Sequence, residues 1–164
     1  IPSDRVPFDQ RPWMKAAEIT DAVLEAIRNG QYRFIRLNYA NGDMVGHTGN
    51  PEAIRIAVEA TDLGLGRLLK TLKRAKGAAI VLADHGNADC MFTEKNGKRE
   101  PHVAHTLNPV PFIVADYSGH DQFSLRPKAP DEVPGLGNVA ATLLNLLGYE
   151  APADYDATLI QLRR

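Results

Sequence analysis

The sequence predicts an α/β fold on three observations. Apolar residues recur at helical spacing in three segments. Two short, continuous apolar runs, AAIVLA (78–83) and VPFIVA (110–115), have the length of strands. Helical and strand-like segments alternate along the chain, as they do when helices cover a sheet. The 164 residues suit one domain, with no boundary, repeat or low-complexity tract between 1 and 164. A chain of this size buries roughly 68–70% of the surface that its unfolded form exposes, enough for a substantial core.

The first helix is expected over AAEITDAVLEAIRN, where Ile19, Val23 and Ile27 lie four apart and Gly30 is placed to end it in a left-handed cap. RFIRLNYA (33–40) alternates Ile35, Leu37 and Tyr39 with Arg36 and Asn38, the pattern of a strand. The longest helix opens at Asn50, a good N-cap, with Pro51 at the first helical position. Ile54, Val58, Leu65, Leu69 and Leu72 form its stripe and Gly77 closes it. Gly64 and Gly66 inside it each cost about 1 kcal/mol against Ala, which points to a bend or a close contact. The cations Arg67, Lys70, Lys73, Arg74 and Lys76 suit the last turns of a helix rather than a phosphate site.

AAIVLA and VPFIVA read as strands buried on both faces. Between them MFTEKNGKREPH is polar, and Asn96-Gly97 marks the tip of a hairpin. SLRPKAPDEVPG (124–135), with three prolines, is a surface loop. A last helix over GNVAATLLNLLG carries a Val139, Leu143, Leu146 stripe and stops at Gly148.

Nineteen basic and 20 acidic side chains give a formal net charge of −1, so neither nucleic acid nor an anionic membrane is selected by bulk charge. No apolar run approaches the roughly 20 residues of a membrane span. The opening IPSDRVPFDQ lacks the apolar h-region of a signal peptide and an initiator Met. A single cysteine, Cys90, excludes an internal disulfide and reads as a small buried hydrophobe; a reducing, cytoplasmic location is the default.

The polar residues then fall in telling places. Asp43 and His47, in NGDMVGHTGN, follow the first expected strand. Asp84 and His85, in ADHGNAD, follow the second, and Gly86 lets the backbone turn so that both converge. In open α/β sheets, ligands bind beyond the carboxyl ends of strands. AHTLNPVPFI adds His105, but ahead of its strand. Either its loop reaches back across the sheet edge, or that strand runs antiparallel. Taken one at a time, Asp43–His47 suits a hydrogen-bonded turn, Asp84–His85 an Asx cap, and His105 a structural histidine. Together, two Asp and three His without thiolate suit a divalent ion such as Mn²⁺, Zn²⁺, Fe²⁺ or Co²⁺. Five ligands exceed what one open site needs and fit two ions, the arrangement typical of phosphoryl chemistry. His102 and His120 read as surface residues, Asn87 and Asp89 as hydrogen-bonding partners that shape a turn, and the hydroxyls of Thr48 and Thr106 as orienters of the ligand before each.

NGDMVGHTG, ADHGNAD and AHTLNPVPFI, in this order, resemble the cofactor-independent phosphoglycerate mutases of the alkaline phosphatase superfamily, and PFDQRPWMKAAEITDA resembles the segment before the first motif. The resemblance covers nearly the whole chain. It implies part of a three-layer sandwich with a mostly parallel sheet and helices on both faces. It implies an isomerase of glycolysis and gluconeogenesis that interconverts 3-phosphoglycerate and 2-phosphoglycerate through a phosphoserine at two Mn²⁺ ions. By that resemblance Asp43, His47 and His105 hold one metal, and Asp84 and His85 the other. The family's nucleophilic serine, a further Asp and an inserted domain with phosphate-binding cations have no match here, since Ser3, Ser118 and Ser124 all lack the expected setting. Residues 1–164 are thus expected to be the C-terminal portion of the phosphatase-like domain, inactive alone and monomeric when full length. The alternatives are a phosphopentomutase or phosphatase of the same superfamily, and a metal-binding module without catalysis.

Overall fold

The computed structural model describes residues 1–119 and 123–163, and His120 lies outside them. The chain divides into two compact units, Ile1–Tyr117 and Ser118–Arg164. No helix among the described residues is long and apolar enough to cross a membrane.

In the first unit the elements are α1 (Ala16–Asn29), α2 (Asn41–Gly46), α3 (Pro51–Arg74), β1 (Ala78–Leu82), β2 (Phe92–Lys95), β3 (Lys98–Pro101) and β4 (Phe112–Asp116). Helix α1 ends at Gly30, whose φ of 62° is the left-handed cap expected of it. Asn50 caps α3 by accepting a hydrogen bond from the amide of Ala53. The far end differs from expectation. Lys76, at φ 55°, takes the left-handed position, and Gly77 N–H reaches back to the carbonyl of Leu72, which closes the helix in a Schellman motif. Of the basic residues near that end, Arg67 pairs with Asp21 of α1.

The buried stripe of α3 also differs. Ala53, Ile54, Ala57, Gly64 and Leu68 are buried, whereas Val58 is 49% exposed. Small residues face inward because α1 lies close. Thr20, fully buried, donates to the carbonyl of Ala16 and meets the hydroxyl of Tyr39 at 2.6 Å, and this pair sits directly over Gly64. A Cβ on Gly64 would lie 2.7 Å from Thr20 Oγ1 and 3.0 Å from the Tyr39 hydroxyl, while one on Gly66 would meet nothing. Gly64 is therefore the close contact, and Gly66 is free. Gly64→Ala is expected to destabilise the protein by about 1–3 kcal/mol through overpacking, although helix propensity alone favours Ala by about 1 kcal/mol. Gly66→Ala shows the propensity gain. Denaturant midpoints that move together for the two variants contradict this packing.

β1 and β4 pair antiparallel, with Ala78 opposite Asp116 and Leu82 opposite Phe112. β2 and β3 form the expected hairpin, with Asn96 and Gly97 both at positive φ in its tip. The fold is thus mixed α and β, but every strand pair among the described residues is antiparallel. Nor are the two apolar strands covered on both faces: Leu82 is 36% and Ile113 52% exposed. RFIRLNYA joins no ladder among the described residues, although its alternation survives, with Ile35, Leu37 and Tyr39 half-buried and Phe34 and Arg36 exposed. A strand is defined by its partner, and this segment has none there.

The second unit holds β5 (Phe123–Leu125), α4 (Gly137–Leu146) and β6 (Ile160–Leu162), with β5 and β6 antiparallel. In the proline-rich loop Arg126 pairs with Glu132 and donates from Nε to the carbonyl of Thr158. Gly148, at φ 87°, ends the last helix, whose most buried residues are Asn138, Ala141 and Thr142 rather than the leucines beside them.

Candidate metal centre

The first motif is a helix, not a free loop. Asp43 and His47 lie four apart, so one turn of α2 puts both side chains on one face. Val45, between them, is fully buried and packs with Ala53, Ile54 and Ala57 of α3. Ala88 and Met91, from the segment after β1, pack against the same cluster. One core thus seats α2 and the second motif together.

The antiparallel pairing settles how His105 arrives. Because Leu82 faces Phe112, the segment that enters β4 lies at the end of β1, where the second motif begins. Thr106 N–H donates to the carbonyl of Gly86 at 2.8 Å, an isolated antiparallel bridge between the two. Gly86 matters here for space: a Cβ would fall on Thr106 Oγ1 and lie 2.6 Å from Asp89 Oδ1.

Three donor atoms converge. Asp43 Oδ1 lies 3.1 Å from His47 Nε2 and 2.9 Å from His105 Nε2, and the two imidazole nitrogens are 3.2 Å apart. Metal–ligand bonds of about 2.1 Å place neighbouring donors about 3.0–3.4 Å apart, so this triangle has the dimensions of one face of a coordination shell. The ring of His47 is oriented from behind: its Nδ1 donates to the carbonyl of Val103 at 2.7 Å. A carbonyl only accepts, so Nδ1 carries a proton, and Nε2, the atom that would ligate, faces the other two donors. That is the usual posture of a ligating histidine. Converging lone pairs call for a positive charge among them, and these residues fit a divalent ion.

His85 stacks on His105 with ring centroids 3.7 Å apart and 19° between planes, and its ligand atom lies within 4.8 Å of those of Asp43 and His105. Asp84 stands apart. Its side chain is 78% exposed, and its carboxylate lies 3.8 Å from His85 Nε2. Four of the five expected residues therefore gather closely, with Asp84 at the margin beside His85.

Asn87 holds the centre. It is 5% exposed, and its amide donates to Asp43 Oδ1 at 2.8 Å. Its own oxygen has no partner and rests against Gly46. Partial burial pushes the Asp43 carboxyl up, but the Asn87 hydrogen bond and, when the neighbouring rings are protonated, the charges of His47, His105 and His85 outweigh it and hold that carboxyl below its ordinary value. Asp43 is thus kept as an anion in the middle of the cluster.

Other expectations resolve differently. Thr48 donates to the carbonyl of Val45, not to His47, whereas Thr106 donates to Asp89 at 3.1 Å. His102 is half-buried rather than fully solvated, and its Nε2 is shielded and without a hydrogen-bond partner. Cys90 is half-buried, its thiol directed at the carbonyl of Phe92. Sequence reading could not show the Val103 carbonyl, since every residue has one.

Comparison with known proteins extends this picture. The model of the Metalloenzyme superfamily matches residues 1–151. The chain is 45% identical, over 99% of its length, to the 2,3-bisphosphoglycerate-independent phosphoglycerate mutase of Trypanosoma brucei brucei, and covers 31% of that protein. It is 42% identical over 99% of its length to 2,3-bisphosphoglycerate-independent phosphoglycerate mutase 1 of Arabidopsis thaliana, covering 30%. Among solved structures it resembles the Leishmania mexicana phosphoglycerate mutase at low cobalt concentration, with a TM-score of 0.92 and 42% identity over 99% of this chain and 31% of that one. The chain spans about three-tenths of the length of these relatives.

Proposed function

This chain belongs to the metalloenzyme superfamily, and from that premise we propose that it is the C-terminal, metal-holding part of a phosphoglycerate mutase. The activity is the interconversion of 3-phosphoglycerate and 2-phosphoglycerate through a phosphoserine, the serine and the substrate-binding domain lying outside these residues. The single observation that carries the proposal is the convergence of Asp43, His47 and His105 within 3.2 Å of one another. Identity above 40% to mutases along nearly the whole chain supports it.

In this proposal Asp43, His47 and His105 hold one divalent ion and Asp84 and His85 the other, with Mn²⁺ as the expected metal. Bound ions would neutralise the charge that a transferring phosphoryl group develops. The chain's own residues supply the rest. Asp43 brings the negative charge, Val103 fixes the His47 ring, and Asn87 fixes the Asp43 carboxylate. A cytoplasmic, monomeric enzyme acting on a small phosphorylated acid, with neither nucleic acid nor membrane as partner, completes the proposal.

The exposed apolar residues Phe34, Leu82 and Ile113 support a further part of it. In the assembled protein, RFIRLNYA and β1 join a larger, mostly parallel sheet between helical layers. Surface of this kind is what a missing layer leaves uncovered.

The test is turnover by the full-length protein. It is expected to interconvert the two phosphoglycerates only with divalent metal, to ignore ribose phosphates, and to lose activity when this chain is expressed alone. Turnover of ribose phosphates in place of phosphoglycerate would assign it to phosphopentomutase chemistry. Mutase activity that survives complete removal of metal would refute the proposal.

A further inference from the structure

We propose that Asp89 is a positioning residue: its carboxylate clamps the loop that carries His85 to the segment that carries His105, and so sets the spacing of the two imidazoles. The inference rests on the proposal that these imidazoles hold metal. Asp89 Oδ2 accepts from Thr106 Oγ1 at 3.1 Å and from Asn108 Nδ2 at 2.6 Å. Thr106 directly follows His105, and Asp89 lies in the same motif as His85. Apart from this carboxylate, backbone hydrogen bonds join the two stretches from Thr106 N–H to the Gly86 carbonyl and, farther on, from His102 N–H to the Met91 carbonyl. These leave the stretch from Thr106 to Asn108 free to swing about Gly86; the two side-chain bonds to Asp89, from Thr106 Oγ1 and Asn108 Nδ2, do not. The fit is close, since the space that a Cβ on Gly86 would need is filled by Thr106 and Asp89. The hydrogen bond from Asn108 also holds the Asp89 carboxyl below its ordinary value, so the clamp stays charged.

Asp89, Thr106 and Asn108 meet at the surface. Hydrogen bonds there compete with water and contribute little to global stability. Their effect falls instead on geometry, because a site loses function when its ligands are loose by as little as about 0.5 Å. A purely structural residue would move the melting temperature first; this one moves the metal first.

The experiment uses the full-length protein with Co²⁺ as the probe, its visible absorption reporting ligand geometry and chelator competition reporting affinity. Asp89→Ala is expected to weaken Co²⁺ binding about 10–100-fold and to alter the spectrum, while the melting temperature of the metal-free protein stays near that of the parent. Asp89→Asn keeps an oxygen that accepts from both partners and is expected to retain parent affinity and spectrum. Should Asp89→Ala fail to fold, Thr106→Val combined with Asn108→Ala opens the clamp from the other side with the same expected loss. Parent-like Co²⁺ binding by Asp89→Ala, or by that double variant, overturns the inference. So does an Asp89→Asn variant as weak as Asp89→Ala, which would make charge rather than clamping the cause. Failure of the unsubstituted protein to bind Co²⁺ is a separate outcome, and it removes the metal centre itself.

Discussion

Asp43→Ala is expected to lower mutase turnover of the full-length protein by about a thousand-fold and to strip metal from the site. The magnitude follows from what the carboxylate faces. Removing a single preorganised charge-stabilising group costs on the order of 10²–10³ in turnover, and here the lost group also ligates. His47 and His105 are neutral when they present lone pairs, so Asp43 is the anion of the triangle. Asp84, the other expected carboxylate, is exposed at the margin and does not replace it. The substitution has a second cost. Asn87, almost fully buried, loses the shortest of its amide's hydrogen bonds and keeps the Asp43 main-chain carbonyl at 3.3 Å. Loss of one such bond costs about 0.5–1.5 kcal/mol. Asp43→Asn keeps the shape but not the charge and should fall between the two. Elemental analysis and kcat measured together make the check. A variant that keeps its metal and turns over within ten-fold of the parent removes Asp43 from the centre.

What the sequence disclosed was chiefly which polar residues gather in the fold. Asp43, His47, His85 and His105 were legible because carboxylate and imidazole recur at the ends of apolar runs, and three motifs stand in order. What holds them was less legible, for physical reasons. Glycines at 42 and 46 argue against a helix, yet Asn41–Gly46 is one, because burial of Val45 outweighs propensity over so short a span. Large aliphatic residues, Ile54 and Leu68 apart, do not mark the inward face of α3. A close helix pair instead buries Ala53, Ala57 and Gly64 and turns Val58 outward. Strand direction has no signature in a single strand's residues. The sequence of β4 is therefore compatible with either direction, and its register with β1 is antiparallel. The strand expected over 33–40 failed for a related reason. Its alternation records a face that suits burial, but pairing depends on a neighbour, and none of the described strands lies beside it.

Gly46→Ala sharpens the point, because local and tertiary physics predict opposite signs. Gly46 is helical and needs no special φ. Propensity alone makes Ala better there by about 1 kcal/mol. The obstacle is Asn87. A Cβ on Gly46 would fall on Asn87 Oδ1, with the amide carbon 2.7 Å and Nδ2 3.2 Å away. Asn87 is 5% exposed and has nowhere to retreat. To make room it must swing and release Asp43 Oδ1, the atom shared by His47 and His105. Overpacking costs about 1–3 kcal/mol, and loss of an outer hydrogen bond to a ligand weakens metal binding about 10–100-fold. Gly46→Ala is therefore expected to be less stable than the parent and to bind Co²⁺ more weakly. Gly42→Ala is the matched control in the same helix, since a Cβ there meets nothing within 4 Å. It should be neutral or stabilising and leave metal affinity unchanged. Metal affinity and melting temperature for the pair decide the matter. If both variants behave alike, Asn87 does not transmit the shape of α2 to the carboxylate, and the seat of Asp43 must be sought elsewhere.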